Sequence, residues 1–158
     1  MSMTQQEITV LLHCAKDGIG QDKDTMMNSY EDITCIETEI SGYRRGCICV
    51  RIDFDKRMVT WRDSLQWNNN FLRSISPDKI QHFRTALPST HILQWKTIPY
   101  GPNSQETALC CHPEDWAVTV SFRQNPPARI SGSGKLPVEW ARLRELIEYI
   151  TKIPFRLR

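Results

Sequence analysis

Apolar and polar residues alternate from Ile33 to Arg62 with few interruptions. Ile33–Ile40 and Gly46–Phe54 flank a loop containing Gly42, and Phe54-Asp55-Lys56-Arg57 has the makeup of a tight connection. The pattern predicts a three-strand antiparallel meander over 33–62. With position 41 set opposite 45, Ile36 faces Val50 and Thr38 faces Ile48. With 54 opposite 57, Val59 faces Ile52 and Trp61 faces Val50. One side of the meander then holds Ile36, Ile48, Val50, Ile52, Val59 and Trp61, and the other holds Glu37, Glu39, Cys47, Cys49, Arg51 and Arg62. Side chains alternate with period two along a strand, so a one-residue slip would turn the whole apolar set into water.

Other segments carry helical spacing. Ser76-Pro77 sets a hydroxyl cap before a proline at the first helical position, and Ile80, Phe83 and Leu87 form a stripe that Pro88 ends. A second helix is predicted over 137–151, with Trp140, Leu143, Ile147 and Ile150 on one side and Pro154 limiting its extension. Strands are expected near 91–98, burying Leu93 and Trp95, near 116–123, where Trp116, Val118, Val120 and Phe122 alternate with smaller residues, and near 128–131. Thr4-x-x-Glu7 resembles a capping box for a helix carrying Ile8, Leu11, Leu12 and Ala15, with a strand over 8–12 as the competing reading. Segments 17–30, 63–75 and 99–114 read as loops. The order predicts an α+β fold: a mostly antiparallel sheet packed on one face by helices near 77–87 and 137–151.

A length of 158 residues, 40% hydrophobic and 24% charged, fits one domain with a single core, spanning 1–158. No run approaches the roughly 20 apolar residues of a membrane helix. Met1–Ala15 carries Glu7 and no basic start, unlike a secretory signal. The net charge of +2 is unevenly spread. Residues 1–41 hold eight acids against Lys16 and Lys23, for −6, whereas 42–158 hold 18 bases and 10 acids, for +8. An acidic segment over 1–32, peripheral to a basic body, is one reading; mutual neutralisation across the surface is the plainer one. Six cysteines, at 14, 35, 47, 49, 110 and 111, are expected to be reduced thiols in a cytoplasmic protein, because a chain of this size needs no disulfide staples.

The candidate chemical motifs are weak. Gly132-Ser133-Gly134-Lys135 precedes a predicted helix, but Arg129 and Leu136 occupy positions where a phosphate loop needs glycine and a hydroxyl. Cys47-x-Cys49 and Cys110-Cys111-His112 lack the spacing of a structural zinc site. Cys111, in a loop beside His112, is the least improbable nucleophile, and Glu37, Glu39 and Asp53 could pair as carboxylates. Arg51 and Arg62 on the same sheet face make cross-strand ion pairing the simpler account of those acids. No catalytic residue, metal or cofactor is assigned.

Loops on a rigid sheet are where partner contacts tend to sit, and aromatic residues favour interface centres. Trp67, Phe71 and Tyr100, with Arg73, are therefore the expected partner-binding residues of a small, non-catalytic intracellular binding protein of inhibitor, immunity or accessory type. Another protein is the expected partner. The alternatives are nucleic-acid binding through the basic body and the 67–73 stretch, and an enzyme using Cys111 or the carboxylates.

Overall fold

A computed structural model describes residues 28–42, 44–98 and 115–157. They form one six-stranded antiparallel sheet with two helices packed on one of its faces. The strands are β1 (Ile33–Gly42), β2 (Gly46–Asp53), β3 (Met58–Asp63), β4 (Phe71–Ser74), β5 (Asp115–Phe122) and β6 (Ala128–Ser133). The helices are α1 (Pro77–Ala86) and α2 (Trp140–Thr151). Strand order across the sheet is β4-β3-β2-β1-β5-β6, which leaves β4 and β6 at the edges.

The meander forms with its faces as the alternation requires. Ile36, Ile48, Val50, Ile52, Val59 and Trp61 are all buried. The β2–β3 register is the expected one, with Val50 opposite Trp61 and Ile52 opposite Val59. The β1–β2 register is not: Ile36 lies opposite Ile52 and Thr38 opposite Val50, two residues from the expected pairing. A shift of two keeps every side chain on its face, so the hydrophobic pattern cannot detect it. The turn decides. Gly42 pairs with Gly46, the Arg45 N–H donates to the Gly42 carbonyl at 3.0 Å, and Gly46 adopts a φ of +76°. A Cβ on Gly46 would also meet Leu65 Cγ at 2.5 Å, so glycine is required there for conformation and for space.

A bulge between Ile33 and Cys35 interrupts the pairing of β1 with β5. The extra residue lets Ile33 turn to the core face opposite Phe122, where it is fully buried. Residues 28–32 lie against the turn after β5: Arg123 N–H donates to the Asp32 carbonyl at 2.9 Å, and Asn125 Nδ2 donates to Asn28 Oδ1 at 2.7 Å. The anticipated helix over 4–15 lies outside the described residues.

Three further expectations are corrected. Segment 91–98 is not a strand; Leu87–Thr90 and Ile92–Gln94 are successive 3-10 turns joined at His91, whose φ is +51°. Thr90 builds this corner, its hydroxyl donating to the Leu87 carbonyl at 2.7 Å and accepting from the Ile92 N–H at 3.3 Å. The second helix begins at Trp140 and not at 137, because Pro137 to Glu139 form a turn closed by the Trp140 N–H on the Pro137 carbonyl at 3.1 Å. Phe71–Ser74, placed in a loop, is the edge strand β4. α1 starts where Ser76-Pro77 places it, although the Ser76 hydroxyl makes no capping hydrogen bond.

Ile80, Phe83 and Leu87 on α1 and the turn after it, and Trp140, Leu143, Ile147 and Ile150 on α2, all face the sheet and are buried. Aromatic rings run through this layer. Trp140 lies 5.9 Å from Trp116, 6.1 Å from Trp95 and 6.3 Å from Phe155. Phe155 meets Trp61 edge-on at 6.0 Å, and Trp61 stacks on Phe71 at 6.1 Å. Buried aromatic pairs at such distances add about 0.5–1.5 kcal/mol each beyond area burial.

Candidate functional site

The polar run from Asp63 to Asn70 folds on itself before it presents anything. Asp63 Oδ1 accepts from the backbone N–H groups of Leu65 (2.9 Å) and Gln66 (3.1 Å). Asn70 Oδ1 accepts from the Asp63 N–H at 2.7 Å, and Asn69 Nδ2 donates to Gln66 Oε1 at 2.6 Å. Short polar side chains that bond their own backbone favour turns of this kind. The loop thereby sets a 3-10 turn, Trp67–Asn69, directly before β4.

Trp67 projects from that turn with 79% of its surface exposed. Leu65 and Leu72 are each 63% exposed, so three of the large exposed apolar residues fall within eight positions of the chain, with Leu65 beside Gly46 of β2 and Leu72 on β4. Leu72 stands opposite Thr60, on the face away from the helices. Phe71 and Arg73 stand opposite Trp61 and Val59, on the helix side. Phe71 is half-buried between the Trp61 ring and the Arg73 guanidinium, which sits 4.0 Å above its centroid. Its contribution is thus to anchor Arg73 and to close the core. A groove of about 390 Å³ runs beside it, lined by Trp61, Asn70, Phe71, Arg73, Pro154 and Arg156.

The backbone of β4 adds to the surface. The Ile75 N–H donates to the Arg57 carbonyl at 2.7 Å, which sets the two-residue phase of the ladder. Phe71 and Arg73 then bond inward to β3, leaving the N–H and C=O groups of Leu72 and Ser74 directed away from the sheet. Left unpaired among the described residues, such groups are a template for an added strand.

Of the four expected contact residues, Trp67, Phe71 and Arg73 gather at this edge, with Phe71 and Arg73 in direct contact. Tyr100 lies outside the described residues. Leu65, Leu72 and the outward β4 backbone were not foreseen. The signal available was the two leucines bracketing a run of amides, since apolar side chains that match no period have no core face to occupy.

The open sheet face supports chemistry poorly. Glu37 pairs with Arg51 at 3.6 Å, and Glu39 with Arg129 of β6 at 3.7 Å. Cys35, Cys47 and Cys49 are free thiols. Burial, with the Glu37 and Glu39 carboxylates adding to it, pushes the Cys49 thiol up to about 11. Burial also pushes Cys35 up to about 11 against the opposing pull of Arg51, and raises Cys47, whose sulfur lies 3.7 Å from Glu39 Oε1. A nucleophilic or metal-ligating cysteine needs the opposite shift. Among the described residues no cluster of three or more His, Cys, Asp or Glu could hold a metal. Cys111 and His112 lie outside them.

Gly132 has a packing role. A Cβ there would meet the Trp116 ring at 2.8 Å, and the Trp116 indole N–H donates to the Lys135 carbonyl at 2.8 Å. The glycine-rich stretch therefore wraps an indole. Among the described residues no helix is long and apolar enough to cross a membrane. Comparison with protein families, curated proteins and solved structures returns no match.

Proposed function

We propose that the chain is a small intracellular binding protein, without catalysis of its own, that engages another protein through the β4 edge. Exposure of Trp67 carries this reading: a large indole held out by a self-bonded turn gains nothing for the fold. Leu65 and Leu72, on either side of it in the chain, are exposed as well, and exposed apolar groups are a common feature of interaction surfaces. Tryptophan is also among the residues that dominate interface energetics. Cytoplasmic residence is part of the same reading and rests on the free thiols.

The test is affinity capture from native lysate at physiological salt, run in parallel with wild type, Trp67→Ala and Leu72→Ala. A specific partner should be retained by wild type and bound about thirtyfold more weakly by Trp67→Ala, the equivalent of a 2 kcal/mol hot spot. Val138→Ser, altering an exposed residue elsewhere, should change nothing. Failure to retain any partner, or equal retention by wild type and Trp67→Ala, would sink the proposal.

A second reading is favoured by one observation: Arg73 and Arg156 line the groove beside Phe71, together with Asp63, and neither arginine makes an ion pair among the described residues. Cations with a stacking ring suit single-stranded nucleic acid. That reading requires oligonucleotide affinity falling steeply as salt rises from about 50 to 200 mM. Salt-independent binding, or none, rejects it.

A further inference from the structure

A cleft of about 140 Å³ opens between the end of β4, the first turn of α1 and the residues that close α2. Arg73, Lys79 and Lys152 line it, and no carboxylate belongs to the lining. Three elements distant in sequence thus bring three cationic residues to the border of one small cleft. Asp or Glu partners serve Arg51, Arg84, Arg123, Arg129 and Arg144, but none of the three cleft cations has an ion pair among the described residues. Two of them are steadied by rings: the Arg73 guanidinium over Phe71 at 4.0 Å and the Lys152 ammonium over Tyr149 at 4.6 Å. The Thr151 hydroxyl at the back of the cleft is already committed, donating to the Ile147 carbonyl at 2.9 Å and accepting from the Ile153 N–H at 3.2 Å.

Like charges held together repel, and an anion between them would reverse the sign of the interaction. At roughly 30 Å³ per water, the cleft has room for about five waters, enough for a tetrahedral oxyanion. A phosphate group brings about −1.5 to −2 charge at neutral pH with several strong acceptor oxygens. The planar guanidinium can meet two of those oxygens at once, and the two ammoniums supply donors from other directions. We propose that Arg73, Lys79 and Lys152 form a phosphate-binding site, which takes either the free ion or a phosphomonoester group. The inference does not depend on the partner surface around Trp67.

The test is titration of the full chain with inorganic phosphate and, separately, with O-phosphoserine, followed by calorimetry and thermal melting against chloride at matched ionic strength. Wild type should bind phosphate saturably and gain in Tm, as selective binding to the folded state requires. The Lys79→Gln/Lys152→Gln variant should bind at least tenfold more weakly with an unchanged Tm in phosphate-free buffer. If that variant does not fold, Lys152→Gln alone, at an exposed position, should show the same loss. Binding of both ligands identifies a phosphomonoester site, and binding of inorganic phosphate alone identifies a free-ion site; either upholds the proposal. Absence of saturable phosphate binding by wild type, or equal binding by wild type and variant, overturns it and leaves the Trp67 reading standing.

Discussion

Thr38 sits at the centre of the sheet, 1% exposed, and its hydroxyl has no hydrogen-bond partner among the described residues. The other two buried threonines are satisfied, Thr90 by the Leu87 carbonyl and Thr151 by that of Ile147. An unpaired buried hydroxyl costs about 1–3 kcal/mol, and valine has nearly the same shape. Thr38→Val should therefore raise stability by about 1 kcal/mol in chemical denaturation, and a loss of that size would show that Thr38 has a partner. At this scale the sequence was readable where a residue obeyed a period and misleading where it did not. Ile48 and Val59 could be placed in the core by alternation alone. Phe71 could not, because its burial depends on the Trp61 ring beneath it and the Arg73 guanidinium above it, and β4 has no pattern of its own. Trp67 was legible as a residue outside the core for a negative reason: no stripe claims it.

α2 docks through Trp140, which touches rings from β5, from the tail and from the segment after the 3-10 turns. Truncating a buried tryptophan removes its transfer free energy and leaves a cavity, so Trp140→Ala should cost about 3–5 kcal/mol. Urea or thermal unfolding checks this, and an unchanged midpoint would mean that the helix is held by other contacts. The helices were legible because 3.6-residue stripes extend over several turns and proline marks their ends. The corner at 87–94 was not. Ile92, Leu93 and Trp95 satisfy a strand template as well as a helical one over so few residues, and the Thr90 hydrogen bonds and the left-handed His91 decide between them. β4 was missed because a four-residue edge strand is defined by the neighbour it pairs with.

Across the whole molecule, the open sheet face stores a pH dependence. Cys35 and Cys49 have thiols raised from 9.0 to about 11 in the folded state, chiefly by burial. A raised folded pKa leaves stability intact below the unfolded pKa and removes it as pH climbs toward the folded one. Stability should thus fall between about pH 9 and 11, with Cys35 alone contributing on the order of 2 kcal/mol. Cys35→Ala should flatten that decline relative to wild type in denaturation series across the window; parallel curves would contradict it. The alternation of side chains was enough to specify which residues of β1, β2 and β3 turn inward, because period two is a local property of an extended backbone. The helical stripes and their proline boundaries followed from equally local rules. The β1–β2 register, the edge strand, and the meeting of Arg73, Lys79 and Lys152 were settled by three-dimensional packing. A two-residue slip leaves the pattern unchanged, and residues brought together from separate elements share no spacing along the chain.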